Sequence, residues 1–144
     1  MGKEKPKRKS GIPTGNAGEY LVMGELLRRG YDAQLADRNT QGYDMLAGRS
    51  SDANLHKVQV KTVRTQPWYV RMSQFEGAAL DMVTVYVLLG TERCETPVRF
   101  FITKNREVKA YAVCPANWNK TGFMSLKHLL PFEGRWDTIL SRPE

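Results

Sequence analysis

The chain predicts an α/β (α+β) fold, a central mixed β-sheet flanked by helices, and three observations carry that expectation. A strongly periodic helix follows a basic N-terminal segment, three short β-type runs separated by turn residues come next, and a nearly unbroken apolar run, Met82 to Leu89, follows further on. At 144 residues with an apolar fraction of 41%, the sequence suits one domain with a core of its own. The division expected is a basic tail over residues 1–13 and a single domain over 14–144.

The tail is where most of the charge sits. Of the formal net charge of +7, the stretch Lys3-Glu4-Lys5-Pro6-Lys7-Arg8-Lys9 supplies five positive charges and one negative, which leaves a body of only about +3. Without apolar residues and with Pro6, the tail is expected to be disordered when free. It reads either as a solvated tail or as an arm whose Lys5, Lys7, Arg8 and Lys9 touch phosphates in a salt-dependent way.

Residues 14–29 form the first helix, with Ala17, Tyr20, Leu21, Gly24 and Leu27 at helical spacing as its apolar face. Asn16 fits an N-cap with Glu19 as its partner three residues on, and Gly30 fits the C-terminal stop. Tyr31–Ala36, Tyr43–Ala47 and His56–Val63 read as three strands of a largely antiparallel meander, because turn residues such as Asn39, Gly42, Gly48, Ser50 and Asp52 separate them. Pro67 closes the third, and the aromatic segment Trp68-Tyr69-Val70-Arg71-Met72 after it carries no clear assignment. Met82–Leu89 is the expected central strand, apolar nearly throughout because both its faces are covered. Val98–Ile102 reads as a further strand and Lys104–Val113 as a helix ended by Pro115. From Trp118 to Leu140 only short helical turns are expected.

The residues that carry chemistry lie in two short segments. Asp44 follows Gln41-Gly42-Tyr43, and Gln59-Val60-Lys61 lies within the β-branched run Lys57–Val63. Strand alternation sets Gln59 and Lys61 on one face and Val58 and Val60 on the other. Two oxygen-bearing side chains beside an ammonium can hold a divalent cation and a water next to a phosphodiester, provided that Asp44 adjoins this strand. Asp44 would be the principal ligand, the Gln59 carbonyl oxygen a second and the Val60 backbone carbonyl a third, with Lys61 orienting the water or balancing charge and Glu19 arriving from the helix, directly or through a water, if the helix packs against the strand pair. Each residue also has a plain alternative: Glu19 completes a capping box, Asp44 belongs to a turn, and Gln59 with Lys61 forms the wet face of an edge strand.

Taken in order, Gly18-Glu19, Asp44 and Gln59-Val60-Lys61 resemble the motifs of the PD-(D/E)xK nuclease superfamily, over roughly residues 14–66. Its small Holliday-junction-resolvase-like members are the most similar, and methyl-directed restriction enzymes are a related branch. The resemblance implies a restriction-endonuclease-like sheet with Asp44 ending the second strand. It further implies Mg²⁺, with Mn²⁺ as a substitute, held by Glu19, Asp44 and Gln59, while Lys61 assists the attacking water. Two positions depart from the pattern. Tyr43 stands for the motif's proline, which affects only the backbone course. Gln59 stands for a carboxylate, so the site loses a negative charge and with it cation affinity; methyl-directed restriction enzymes also carry glutamine here.

The function expected is therefore a metal-dependent DNA endonuclease acting on branched or structured DNA as a homodimer. The alternatives are a non-catalytic nucleic-acid-binding module on the same fold and a restriction or defence nuclease. Since the whole chain is needed for the catalytic fold, no separate recognition domain is expected, and DNA shape is the expected basis of substrate choice.

Arg38, Arg64 and Arg71 flank the site in sequence and are candidate phosphate contacts. Trp68 and Tyr69 read as base-stacking or packing residues, and Trp118 and Trp136 as packing residues. Cys94 and Cys114 have no paired-ligand spacing, and His56 and His128 are too few for a histidine cluster, so any metal is expected on oxygen. No organic cofactor is expected. No apolar stretch approaches the roughly 20 residues that span a bilayer, which gives the expectation of a cytoplasmic protein without a membrane partner.

Overall fold

A 17-residue helix, α1 (Ile12–Arg28), opens the described part of the chain. The computed structural model describes residues 12–37, 42–49 and 55–139, so Lys5, Lys7, Arg8, Lys9 and Arg38 lie outside the described residues. Pro13 falls in the first turn of α1, where its fixed φ suits a helix start. The early start corrects the capping expectation: Asn16 lies in the second turn, so it is no N-cap and Glu19 completes no capping box. At the other end Gly30 takes φ +86°, and the amides of Gly30 and Tyr31 donate to the carbonyls of Leu27 and Leu26 at 3.0 and 2.9 Å. That pair of bonds is a Schellman stop, closed by the contact between buried Tyr31 and Leu26.

The buried row of α1 is Gly18, Val22 and Leu26, not the face expected from Tyr20, Leu21 and Leu27, of which Tyr20 is 59% and Leu27 51% exposed. The reason is Gly18. A Cβ built there would stand 2.7 Å from Thr62 Cβ, so the helix backbone itself rests on the sheet along that row. Thr62 is β-branched and cannot swing its Cβ aside. Gly18→Ala is therefore expected to cost about 1–3 kcal/mol of overpacking. Urea unfolding measures it, and a change within about 0.5 kcal/mol, the scale of a neutral surface substitution, would show that α1 does not rest on Thr62.

Three strands follow: β1 (Asp32–Leu35), β2 (Met45–Gly48) and β3 (His56–Val63). They form the expected antiparallel meander, with Asp32 opposite Gly48 and Met45 opposite Val58. The chain then leaves the sheet through β4 (Trp68–Arg71) and short 3-10 turns at Met72–Phe75 and Gly77–Asp81. It returns as β5 (Val83–Leu88), parallel to β3 with Val60 opposite Val85, and β6 (Arg99–Lys104) completes the sheet antiparallel to β5. The order β1-β2-β3-β5-β6 makes β3 the middle strand, so β5 is interior but not central as expected.

Lys104–Val113 is not one helix. It is α2 (Asn105–Val108), a 3-10 turn at Lys109–Tyr111, and then an extended Val113 that exchanges both backbone bonds with Phe123. Pairing at Val113 thus ends the helical run before Pro115 can. Phe123 lies in β7 (Thr121–Met124), a strand within the segment expected to hold only helical turns; β7 pairs antiparallel with β4 to form a second, two-stranded sheet. The short helices α3 (Leu126–Leu129) and α4 (Trp136–Ile139) end the described chain.

Both faces of the main sheet are covered, which explains the apolar run at β5. Val83, Val85 and Val87 join Val22, Leu26, Val58, Val60 and Trp136 on the α1 side. On the other side Tyr86 and Phe101 pack with Trp68, Val70, Phe75 and Met124. Trp136 is therefore a packing residue as expected, and Trp118, though 36% exposed, also packs, against Tyr69 and Phe123. Cys94 and Cys114 are exposed thiols, and among the described residues no helix is long and apolar enough to cross a membrane.

Arg99 and Glu133 tie β6 to the turn before α4 through two 2.8 Å bonds. The guanidinium beside it holds the Glu133 carboxyl below its ordinary value. A depressed carboxylate stabilises the fold above its unfolded pKa and loses that contribution as pH falls through the folded value. Both side chains are more than a third exposed, so the loss on acidification below about pH 4 should be at most ~1 kcal/mol and should shrink in salt. Unfolding of Glu133→Gln at pH 7 and pH 3 measures it; equal deficits at both would contradict the assignment.

Candidate active site

The sheet forks where β2 begins. The β2–β3 register stops at Met45 opposite Val58, and one residue earlier the chain at Asp44 turns away. Its amide still donates to the Val58 carbonyl at 2.9 Å, while Asp44 Oδ2 accepts the Val60 amide at 2.7 Å. A carboxylate thus replaces the next backbone rung. Asp44 leads β2 and does not end a strand, which corrects that part of the expected placement: β2 starts two residues later than the sequence suggested. The N–H and C=O of one strand residue point to the same side. Val63 O is bonded to Leu89 N on the β5 side, so the Val60 carbonyl, of opposite parity, faces the Asp44 side beyond the end of the ladder.

Gln59 and Lys61 project from the opposite face of β3 to Val58 and Val60, opposite Thr84 and Tyr86 of β5. They are half-buried on the middle strand, so the reading as a wet edge-strand face fails. A cavity of about 670 Å³ opens here, and Gln59, Lys61, Arg71, Ser73, Gln74 and Asn105 line it. Burial pushes the Lys61 ammonium below its ordinary pKa; the Asp44 carboxylate opposes this, and the Arg71 charge adds to it. Lys61 therefore sits within electrostatic reach of both residues.

The floor of the cavity is a buried polar network. Gln74 Nε2 donates to Thr84 Oγ1 at 3.1 Å and to Tyr86 OH at 3.0 Å, and Thr84 Oγ1 donates to Asn105 Oδ1 at 2.6 Å. Asn105 Nδ2 closes the network on the carbonyls of Gln74 and Ala79. Buried polar groups satisfied in this way hold a wall rigid. Only Gln74 Oε1 of this group lacks a protein donor. These residues carried no separate signal in the sequence, apart from Thr84 as the polar interruption of an apolar run.

Glu19 shares a second cleft of about 280 Å³ with Asn16, Asp37, Tyr43 and Asp44. The structure thus bonds Asp44 to the Val60 amide and sets Glu19 and Asp44 in one cleft, whereas Gln59 and Lys61 line the other, which Gly42 borders. The Glu19 and Asp44 carboxylates and the outward Val60 carbonyl form a hard oxygen donor set of the kind Mg²⁺ takes. Among the described residues no three His, Cys, Asp or Glu side chains converge, so such an ion would need backbone, amide or water oxygens to complete its shell.

Arg64 turns back on the chain, its Nη1 donating to the Gly90 carbonyl at 3.2 Å, and lines neither cleft. Arg71 does line the cavity. Of the aromatic pair after Pro67, Trp68 is fully buried whereas Tyr69 is 61% exposed.

No family model and no curated protein matches the sequence. Among solved structures, the Holliday junction resolvase Hjc of the archaeal hyperthermophile Archaeoglobus fulgidus is similar at 17% identity with a TM-score of 0.53, over 83% of this chain and 88% of that one. The bacterial homing endonuclease I-Ssp6803I is similar at 15% identity with a TM-score of 0.56, over 90% of this chain and 92% of that one. The five-stranded mixed sheet in the order β1-β2-β3-β5-β6 and the likeness to these two structures give the chain a restriction-endonuclease-like fold.

Proposed function

We propose that the protein is a Mg²⁺-dependent DNA endonuclease that hydrolyses phosphodiester bonds in branched or otherwise structured DNA. The observation that carries this reading is the Asp44 carboxylate, bonded at 2.7 Å to the amide of Val60, which lies between Gln59 and Lys61 on the middle strand. A carboxylate and a lysine held together by the sheet, beside a cavity that also holds Arg71, suit a water and a phosphate. The similar structures, a junction resolvase and a homing endonuclease, support DNA as the substrate.

In this reading Asp44, Glu19 and the Val60 carbonyl, with Gln59 from the adjoining cavity, would hold the metal, which would supply Lewis acidity at the phosphoryl oxygens and a water of lowered pKa. Lys61 orients that water. Arg71 meets the phosphoryl oxygens from the other wall of the cavity, and the Gln74–Asn105 network keeps that wall fixed. The basic N-terminal stretch, with Arg38, adds salt-dependent affinity through Lys5, Lys7, Arg8 and Lys9, while the domain that begins with α1 at Ile12 is the catalytic unit. Arg64 contributes less, being held by Gly90. A homodimer in the cytoplasm completes the reading, since symmetric cutting of two strands needs two sites related by a two-fold axis.

Gln59, an amide where a carboxylate would add charge, favours a second reading: a nucleic-acid-binding module on the same fold. Incubating the protein with end-labelled four-way junction, flapped, duplex and single-stranded DNA, with Mg²⁺, Mn²⁺ or EDTA, separates the two. Metal-dependent cutting of a structured substrate supports the endonuclease. Binding without cutting under either metal would leave the binding module in its place.

A further inference from the structure

The outer face of the β4–β7 sheet carries aromatic residues that the cleavage site does not use. In β4 Trp68 and Val70 point into the core, and Tyr69 and Arg71 point out. Across the ladder Tyr69 is opposite Phe123 and Arg71 is opposite Thr121. Trp118 closes over this pair of strands, its ring 6.0 Å from that of Tyr69 and 5.5 Å from that of Phe123. The result is an aromatic surface in which Tyr69 is 61% and Trp118 36% exposed.

The turn that presents Trp118 is held in a costly shape. Asn119 and Lys120 both adopt left-handed backbone, with φ of 44° and 69°, although neither is glycine. Bonds from Trp118 N to Pro115 O, from Thr121 N to Trp118 O and from Met72 N to Lys120 O fix it against the end of β4. Strain maintained in this way by its surroundings is characteristic of ligand clamps. Arg71 and Lys120 line a third cleft of about 460 Å³ together with one carboxylate, Glu76, so cations outnumber anions there. Arg71 also lines the cavity of Lys61, and this makes the aromatic face continuous with the proposed cleavage site.

We propose that this face binds single-stranded nucleic acid, with one unpaired base stacked on Tyr69 and Trp118 and the adjoining phosphates on Arg71 and Lys120. Exposed rings beside cations match the two parts of an unpaired nucleotide, a π-face and a phosphate. Paired bases have their faces covered by their neighbours, so duplex DNA cannot use the rings. The inference deepens the endonuclease reading, from which it takes DNA as the strand and the cut as its neighbour: the preferred substrate has an unpaired stretch beside the cleaved bond.

The test is binding in EDTA, where cleavage plays no part, of a flapped DNA carrying the fluorescent base 2-aminopurine in its single-stranded arm, alongside a fully paired duplex of the same length. The wild type is expected to quench 2-aminopurine on binding. Tyr69→Thr, which keeps a strand-forming side chain without the ring, should abolish the quench and weaken binding of the flap roughly 5- to 150-fold, the range of one base–aromatic stack. Its duplex affinity should be unchanged, and Tyr69→Phe should restore the quench. Arg71→Gln should lower the salt slope for the flap by about 0.7, one single-strand phosphate contact. Unchanged flap binding and quench in Tyr69→Thr would overturn the platform, as would an equal loss on flap and duplex. A protein that quenches in this way but never cuts would overturn the endonuclease reading alone.

Discussion

Asp44→Asn is expected to abolish cleavage and to leave the fold in place. The side-chain oxygen of asparagine can still accept the Val60 amide that now bonds to Asp44 Oδ2 at 2.7 Å, so the fork between β2 and β3 survives. What disappears is the negative charge that draws Lys61 toward its charged form and that would hold a divalent cation. Losing an electrostatic contribution of several kcal/mol lowers the rate on the order of 10³-fold or more. Asp44→Ala should lose the same activity and stability as well, because the Val60 amide is left without its acceptor at a cost of about 1–3 kcal/mol. Single-turnover cleavage and urea unfolding of both variants separate charge from scaffold. A variant Asp44→Asn that cuts within tenfold of the wild type would remove Asp44 from the reaction.

The largest loss of stability is expected at Trp68→Ala. Trp68 is fully buried, meets the rings of Tyr86 and Phe101 edge-on at 5.7 and 5.9 Å, and donates its indole N–H to the Val87 carbonyl at 3.1 Å. It fastens the β4–β7 sheet to the main sheet. Removing it leaves a cavity and takes the indole bond away from Val87 O, at about 3–5 kcal/mol, a large share of a total stability of roughly 5–15 kcal/mol. Trp68→Phe keeps most of the ring contacts and should lose less than half as much. The shift of the urea midpoint reads both, and a loss below about 1 kcal/mol for alanine would mean that the second sheet is anchored elsewhere. Because β4 also carries Tyr69 and Arg71, Trp68 supports the cavity wall and the aromatic face together.

Apart from β4, the order of the helix and strands through β5 was legible because each leaves a local mark. Alternation marks β3, Gly30 marks the end of α1, and unbroken apolar sequence marks β5. The buried face of α1 was not legible, since the row that touches the sheet is set by the lack of a side chain at Gly18, and periodicity counts only the residues that have one. The second sheet was hidden for a different reason. β4 and β7 have four residues each and pair across some fifty residues of sequence, so neither carries enough pattern alone. The same distance explains why Trp118 reads as a core residue in the sequence and stands half-open beside Tyr69 in the structure.

At the site, alternation sufficed to put Gln59 and Lys61 on one face, and the fold carries Asp44 to the amide of Val60 between them. The rest depended on the crossover between β3 and β5. It brings Arg71, Ser73 and Gln74 over β3, and Asn105 follows from the far end of β6. Glu19 reached Asp44 by the packing of Gly18 on Thr62, one residue away on the helix, and its capping role vanished once α1 began at Ile12.

The central claim is that Asp44 and Lys61 form a metal-assisted site for phosphodiester hydrolysis. Its most direct test is the single-turnover rate of DNA cleavage in Mg²⁺ by the wild type and Lys61→Ala, at protein concentrations where both bind the whole substrate. The account predicts cutting by the wild type that EDTA stops, and a loss of at least about 10²-fold in Lys61→Ala, the lower end for a group that assists proton transfer. Equal rates in the two proteins, or cutting that persists in EDTA, would contradict it.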